Sequence, residues 1–186
     1  MAVLKRTRIG GVLLATGLWL SLSAGAEGAP TALEAAVKAN YLYKFAPFVT
    51  WPAAAFAAPT SPFSICLTGE DPFGRVLDDA VQGQSIDEHP IAVRRLGASE
   101  SIAGCHVLFA GASPTQSPAD ALRAVAGTPV LTVTDQNLGG SGGMIQFVLQ
   151  GGKVRFSIDA GAAEANGVQI SSKLLQLAVS VRKAAK

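Results

Sequence analysis

The chain has 186 residues, 49% of them hydrophobic and only 15% charged, which is too apolar for a disordered segment and short for two domains. Fifteen Lys/Arg against thirteen Asp/Glu give a formal net charge of +2, but Lys5, Arg6 and Arg8 crowd the first eight residues. Without that leader the balance is twelve against thirteen, so charge gives no reason to expect a nucleic-acid partner.

The apolar run Ile9 to Leu22 follows those three cations and is interrupted by Gly10, Gly11, Gly17 and Ser21. It is too short to span a hydrocarbon core of about 30 Å comfortably, and Ala24-Gly25-Ala26 supplies small residues for cleavage. This pattern predicts a signal peptide over 1–26, cut after Ala26, and one exported domain over 27–186. An uncleaved signal anchor is the competing expectation.

In the mature chain, Thr31 and Glu34 have the spacing of a capping box, and Leu33, Val37, Tyr41 and Phe45 recur every fourth residue, which predicts a packed helix ended by Pro47. Phe48 to Pro52 reads as extended, and Phe63 to Thr68 as a short buried strand. Asp71-Pro72 predicts a helix start, with Phe73, Val76, Leu77, Ala80 and Val81 at helical spacing up to Gly83. Further strands are expected at Ile91–Leu96, His106–Ala110 and Val130–Thr134, with a helix from Pro118, capped by Ser117, to Gly127. Met144–Gln150 and Lys153–Ile158 flank Gly151-Gly152, a hairpin signal, and each alternates so that one face is buried. Asp159 caps a short helix ended by Gly167, and Ser171 or Ser172 a last one carrying Leu174, Leu175, Ala178 and Val181. The expected fold class is α/β: a single-domain sandwich with a mixed, mostly parallel sheet, a C-terminal antiparallel hairpin and helices on both faces.

Chemistry-bearing residues are sparse. Cys66 and Cys105 sit in or beside strands, and in an oxidising compartment two such thiols are expected to pair. Closing a loop of about 40 residues stabilises by roughly 4 kcal/mol on loop entropy alone. A redox switch is the alternative, disfavoured because no CxxC or basic flank lowers a thiol pKa. The spacings of Cys66, Cys105, His89 and His106 match no zinc pattern. Neither histidine sits near a nucleophile elbow, Gly111-Ala112-Ser113-Pro114 lacking the second glycine. Gly139 to Gly143 precedes a strand and no Lys-Ser/Thr pair, so it reads as a flexible turn and not as a phosphate loop. No catalytic residue, metal or cofactor is assigned. An apolar surface is the remaining candidate: Phe147, Val168, Ile170 and Leu174, on the last hairpin and helix, could line a groove for a partner's side chain, or be ordinary core. Tyr41, Tyr43 and Trp51 form a second aromatic candidate, with Tyr41 expected inside.

Specific strings carry a resemblance. Asn40 to Pro52, NYLYKFAPFVTWP, resembles the opening signature of the YfiR-like family of exported bacterial proteins. Ile65 to Gly74 (ICLTGEDPFG), Cys105 to Phe109 (CHVLF), Pro129 to Val133 (PVLTV), Gly143 to Phe147 (GMIQF), and Val154-Arg155-Phe156 through Gly167 to Leu175 (GVQISSKLL) follow in order, from about Leu33 to Leu177 in all. The resemblance implies a periplasmic regulator without catalytic activity. It further implies a partner in the periplasmic sensor domain of an inner-membrane diguanylate cyclase, sequestration by an OmpA-like outer-membrane lipoprotein, and homodimers. Cys66 and Cys105 match a family disulfide, whereas a second pair in the family's type regulator has no counterpart in a chain with two cysteines. The competing functional readings are a periplasmic small-ligand sensor acting on another membrane receptor, suggested by the crevices of α/β sheets, and a small hydrolase using Ser113 and His106.

Overall fold

The computed structural model describes residues 31–184, so the leader and its cleavage after Ala26 lie outside the described residues. The elements, in chain order, are α1 (Ala32–Lys44), β1 (Val49–Thr50), β2 (Phe63–Thr68), α2 (Arg75–Val81), β3 (Ser85–Ile86), β4 (His89–Leu96), β5 (Val107–Ala110) and α3 (Pro118–Ala124). They continue with β6 (Leu131–Asp135), β7 (Ile145–Gln150), β8 (Lys153–Asp159), α4 (Ala160–Ala165), β9 (Gln169–Ile170), α5 (Ser172–Leu177) and β10 (Ser180–Arg182).

Eight strands form one sheet in the order β10-β8-β7-β6-β5-β2-β4-β3. Pairing is parallel from β4 through β2, β5 and β6 to β7, antiparallel in the β7–β8 hairpin and at β3–β4, and parallel again where β10 joins β8. β1 and β9 make a separate antiparallel ribbon. The connection β2–α2–β4 crosses one face and β5–α3–β6 the other, so the α/β sandwich with a mostly parallel sheet and helices on both faces is the fold observed.

Alternation along the strands divides the interior in two. Phe63, Ile65, Leu67, Val107, Phe109, Leu131, Val133, Ile145, Phe147, Val154, Phe156 and Ile158 face α1, α2 and α4 in the larger core. Cys66, Leu108, Ala110 and Val130 face α3, with Ala121 and Val125, in a small second core.

Local chemistry explains where the elements depart from expectation. The Thr31 hydroxyl accepts the Glu34 N–H at 3.2 Å, but the Glu34 carboxylate turns to Lys38 instead of reaching back, so half of the capping box forms. The stripe Leu33, Val37, Tyr41, Phe45 is not one buried face. Four-residue steps drift by about 40° each on a helix, so over three steps Leu33, 75% exposed, leaves the face that buries Phe45. Asp71 does not cap α2 either: its Oδ1 accepts the N–H groups of Phe73 and Gly74 at 2.7 and 3.1 Å, a turn that delays the helix to Arg75. Ser117 and Asp120 form a complete capping box on α3. The last helix ends at Leu177, and Ala178 and Val181 lie beyond it, Val181 in the edge strand opposite Ile158.

Gly139 to Gly143, expected as a flexible turn, is pinned at two of its positions: it returns the chain from β6 to the parallel neighbour β7 without an α-helix, with Gly140 and Gly143 packed against the end of β6 while Gly139, Ser141 and Gly142 stay exposed. A Cβ on Gly143 would lie 2.8 Å from the Ile145 carbonyl oxygen and 3.0 Å from the Thr134 nitrogen, which only glycine avoids.

Candidate functional site

In a doubly wound sheet the ligand crevice opens at the carboxyl ends of the strands where the crossovers change face. Here that point lies between β2 and β5, and it is shut. Gly111 N–H donates to the Thr68 carbonyl and Glu70 N–H to the Ala112 carbonyl, both at 2.9 Å. The two loops approach so closely that a Cβ on Gly69 would fall 2.2 Å from the Gly111 oxygen, and one on Gly111 would fall 2.5 Å from the Glu70 oxygen. Beside this seam, Lys38 of α1 is buried to 1% exposure and bonds Asp135 of β6 at 2.5 Å, with Glu34 as its second carboxylate. The buried Lys38–Asp135 pair pins α1 to the sheet.

An open groove of about 540 Å³ lies instead on the α3 face. The link from β4 to β5, residues 97–106, carries no helix, and the groove runs between this link and α3, with Ile102, Cys105, Val125 and Val130 in its walls and Ala54 and Ala55 at one lip. Cys66 and Cys105 are bonded beneath it, with Cα atoms 5.8 Å apart. Arg94 steadies the link by donating from Nη1 to the Ala103 carbonyl at 2.9 Å and from Nη2 to the Ser101 carbonyl at 3.2 Å. The pairing expected of the two cysteines is thus formed.

The histidines are not where a solvated loop and a strand edge would leave them. His89 opens β4, His106 precedes β5, and both rings join an aromatic cluster with Trp51, Phe56 and Phe63. The Ser64 N–H donates to His106 Nδ1 at 3.0 Å, and burial pushes the pKa of this imidazole down, with the Ala55 carbonyl opposing and His89 assisting. Ser113 lies past the far end of β5 from His106, its hydroxyl engaged with Gln116, so the two cannot act on one substrate. Among the described residues no group of three or more His, Cys, Asp or Glu could hold a metal, and no helix is long and apolar enough to cross a membrane.

The sequence-predicted partner residues separate. Phe147, Val168 and Leu174 are buried in the larger core; Ile170, in the β1–β9 ribbon, is partly exposed. The apolar face of the hairpin is already occupied by the chain's own α1, whose Phe45 and Tyr41 rings sit 6.0 and 6.1 Å from Phe147. Tyr41 packs against this core but is only partly buried, short of the internal position expected of it. Exposed apolar side chains occur nearby: Leu149, which alternation with Ile145 and Phe147 places on the buried face but which stands exposed next to the hairpin tip, Leu177 ending α5, and Val179, whose N–H donates to the Phe156 carbonyl at 2.9 Å. Periodicity misplaces Leu149 because the strand outruns the core beside the turn, and it says nothing of Leu177, at the end of α5, or of Val179, between α5 and β10.

A family described as YfiR/HmsC-like (DUF4154) matches residues 35–179, from α1 to the approach to β10. The chain belongs to that family. No curated protein matches it. The matched span takes in most of the opening helix, the disulfide and the closing hairpin together, so membership covers every strand of the large sheet except the edge strand β10 and does not rest on one motif.

Proposed function

We propose that this protein is a periplasmic binding protein that holds an inner-membrane diguanylate cyclase inactive through contact with its periplasmic sensor domain, lowering cyclic-di-GMP and biofilm formation. Family membership over residues 35–179 carries the reading, since YfiR-like proteins are periplasmic regulators of diguanylate cyclases. Two further observations support it. The crevice where an α/β enzyme would work is sewn shut at Gly69 and Gly111, and the disulfide suits an oxidising compartment. An OmpA-like outer-membrane lipoprotein that sequesters the regulator, and a homodimeric state, complete the proposal.

No chemistry is required of such a regulator, only preference for one state of its target. To turn a cyclase from about 99% active to about 99% inactive it must bind the inactive state roughly ten-thousand-fold better, near 5.5 kcal/mol. A few apolar anchors in a standard interface can provide that. Since Phe147, Val168 and Leu174 are internal, we assign the anchors to Ile170 with the exposed Leu149, Leu177 and Val179.

In-cell crosslinking of a tagged copy, with identification of the captured envelope proteins, is the direct test. Capture of a membrane diguanylate cyclase, reduced by Leu177→Asp, together with a rise of cyclic-di-GMP on deletion, is the expected result; unchanged cyclic-di-GMP on deletion overturns the reading. The small-ligand sensor keeps one observation in its favour, the groove beside α3, whose volume suits a small molecule. A thermal-shift screen with nucleotides and amino acids separates the two.

A further inference from the structure

Four rings form one stack across the strand entries of the sheet. Phe63 lies against His106 at 4.9 Å, His106 against Phe56 at 4.5 Å, and Phe56 against His89 at 4.2 Å, with Trp51 edge-on to Phe63 at 5.1 Å. Phe63, His89 and His106 are fixed by the sheet. Phe56 is not: it belongs to residues 51–62, which join β1 to β2, and it plugs that segment between two imidazoles. The same segment supplies Ala54 and Ala55, one lip of the groove beside α3.

The two imidazoles hold their protons differently. His89 Nδ1 lies 2.6 Å from the Ser61 carbonyl, so Nδ1 carries a proton and donates it there. His106 Nδ1 accepts the Ser64 N–H, so the neutral ring carries its proton on Nε2, which closes no well-formed hydrogen bond although the Ala55 carbonyl acts on the ring from nearby. A second proton on His106 must therefore go to the atom already receiving an N–H. Protonation in place would set two donors head to head and leave the Ser64 N–H buried without an acceptor, a cost of the kind that forces rearrangement. The ionisable group acting on His106 is His89, from the entry of β4. The neighbours from β2, Phe63 and Ser64, from β6, the Leu131 N–H, and from the connecting segment, Trp51, Ala55 and Phe56, are all uncharged.

We infer that residues 51–62 are an acid-released latch: on protonation the His106 imidazole leaves its slot, Phe56 loses its inner partner, and the segment lifts from the strand entries, widening the groove at Ala54 and Ala55. The sign follows from proton counting. The closed state binds fewer protons than the open one, where an imidazole titrates near its ordinary value of about 6.5, so the closed state is favoured above that pH and loses ground below it. The opening equilibrium rises about tenfold per pH unit below about 6.5, until the closed-state ring itself titrates. Because the periplasm follows the acidity of its surroundings, this latch would make the groove responsive to the medium whichever partner the protein serves.

Hydrogen exchange on the full chain, read from about pH 7.5 to about pH 4.5 and corrected for intrinsic rates, tests this. Protection over residues 53–62 should fall about tenfold per unit below about pH 6.5 while β2, β5 and β6 stay protected. His89→Asn, whose amide still donates to Ser61, should retain the dependence. His106→Asn, whose Oδ1 still accepts from Ser64 but does not titrate, should abolish it. Protection independent of pH, a dependence that survives His106→Asn, or one lost in His89→Asn overturns the proposal. Should His106→Asn fail to fold, an NMR titration of the wild-type imidazoles decides: opening that tracks proton uptake by His106 supports the latch, and opening without that uptake overturns it.

Discussion

On the α1 face of the sheet, Tyr41 and Phe45 interlock with Phe147 and Phe156 at ring separations of 5.1 to 6.1 Å, in a core to which α1, α2, α4 and α5 all contribute. On the α3 face, one seven-residue helix and an irregular link cover a handful of buried apolar residues, and a disulfide joins β2 to the entry of β5. Burial per residue drives folding on the first face; on the second, too little apolar surface is available and a covalent bond restrains the chain instead. The open groove lies on the second face, as expected if the thinly packed side of a domain is the one with surface left to expose.

The comparison can be broken on either face. Phe147→Ala should cost most, up to about 5 kcal/mol in urea unfolding, because the surrounding rings cannot collapse into the space. Replacing Cys66 and Cys105 together by serine should cost about 4 kcal/mol, with the loss of exchange protection concentrated in α3 and residues 97–104. An equal loss in α1 would mean that the two faces are one cooperative unit. Lys38→Met should cost about 3 kcal/mol, since it strands Asp135 in the interior while Glu34 can reach solvent, and adding Asp135→Leu should recover much of it. Ser117→Ala, which opens the capping box of α3, should cost about 1 kcal/mol, read in thermal unfolding.

How much of this was legible in the sequence divides along similar lines. Short continuous runs such as Val107 to Ala110, the Ser117 cap ahead of Pro118, and the Gly151-Gly152 hairpin encode their own structure locally, and each formed where expected. Positions whose fate depends on a distant neighbour were opaque. Phe147 could be read as groove or as core, because nothing in its strand reveals that Tyr41 and Phe45, about a hundred residues earlier, are what cover it. Gly140 and Gly143 looked like slack because the constraint on them is the backbone of another strand. His89 and His106 looked solitary, although parallel strands place their entries side by side, a regularity that could have brought both rings and Phe63 together from the pattern alone.

The seam at Gly69 and Gly111 also bears on how the domain can diversify. Any descendant that takes up a ligand at the top of its sheet must first break the backbone hydrogen bonds that close the seam, and a side chain introduced at either glycine collides with the opposite loop before it can contribute. Sequence change in this lineage is therefore steered toward the flanks of the sheet, and new specificities should accumulate along the groove, the hairpin tip and the β10 edge while the strand ends stay as they are.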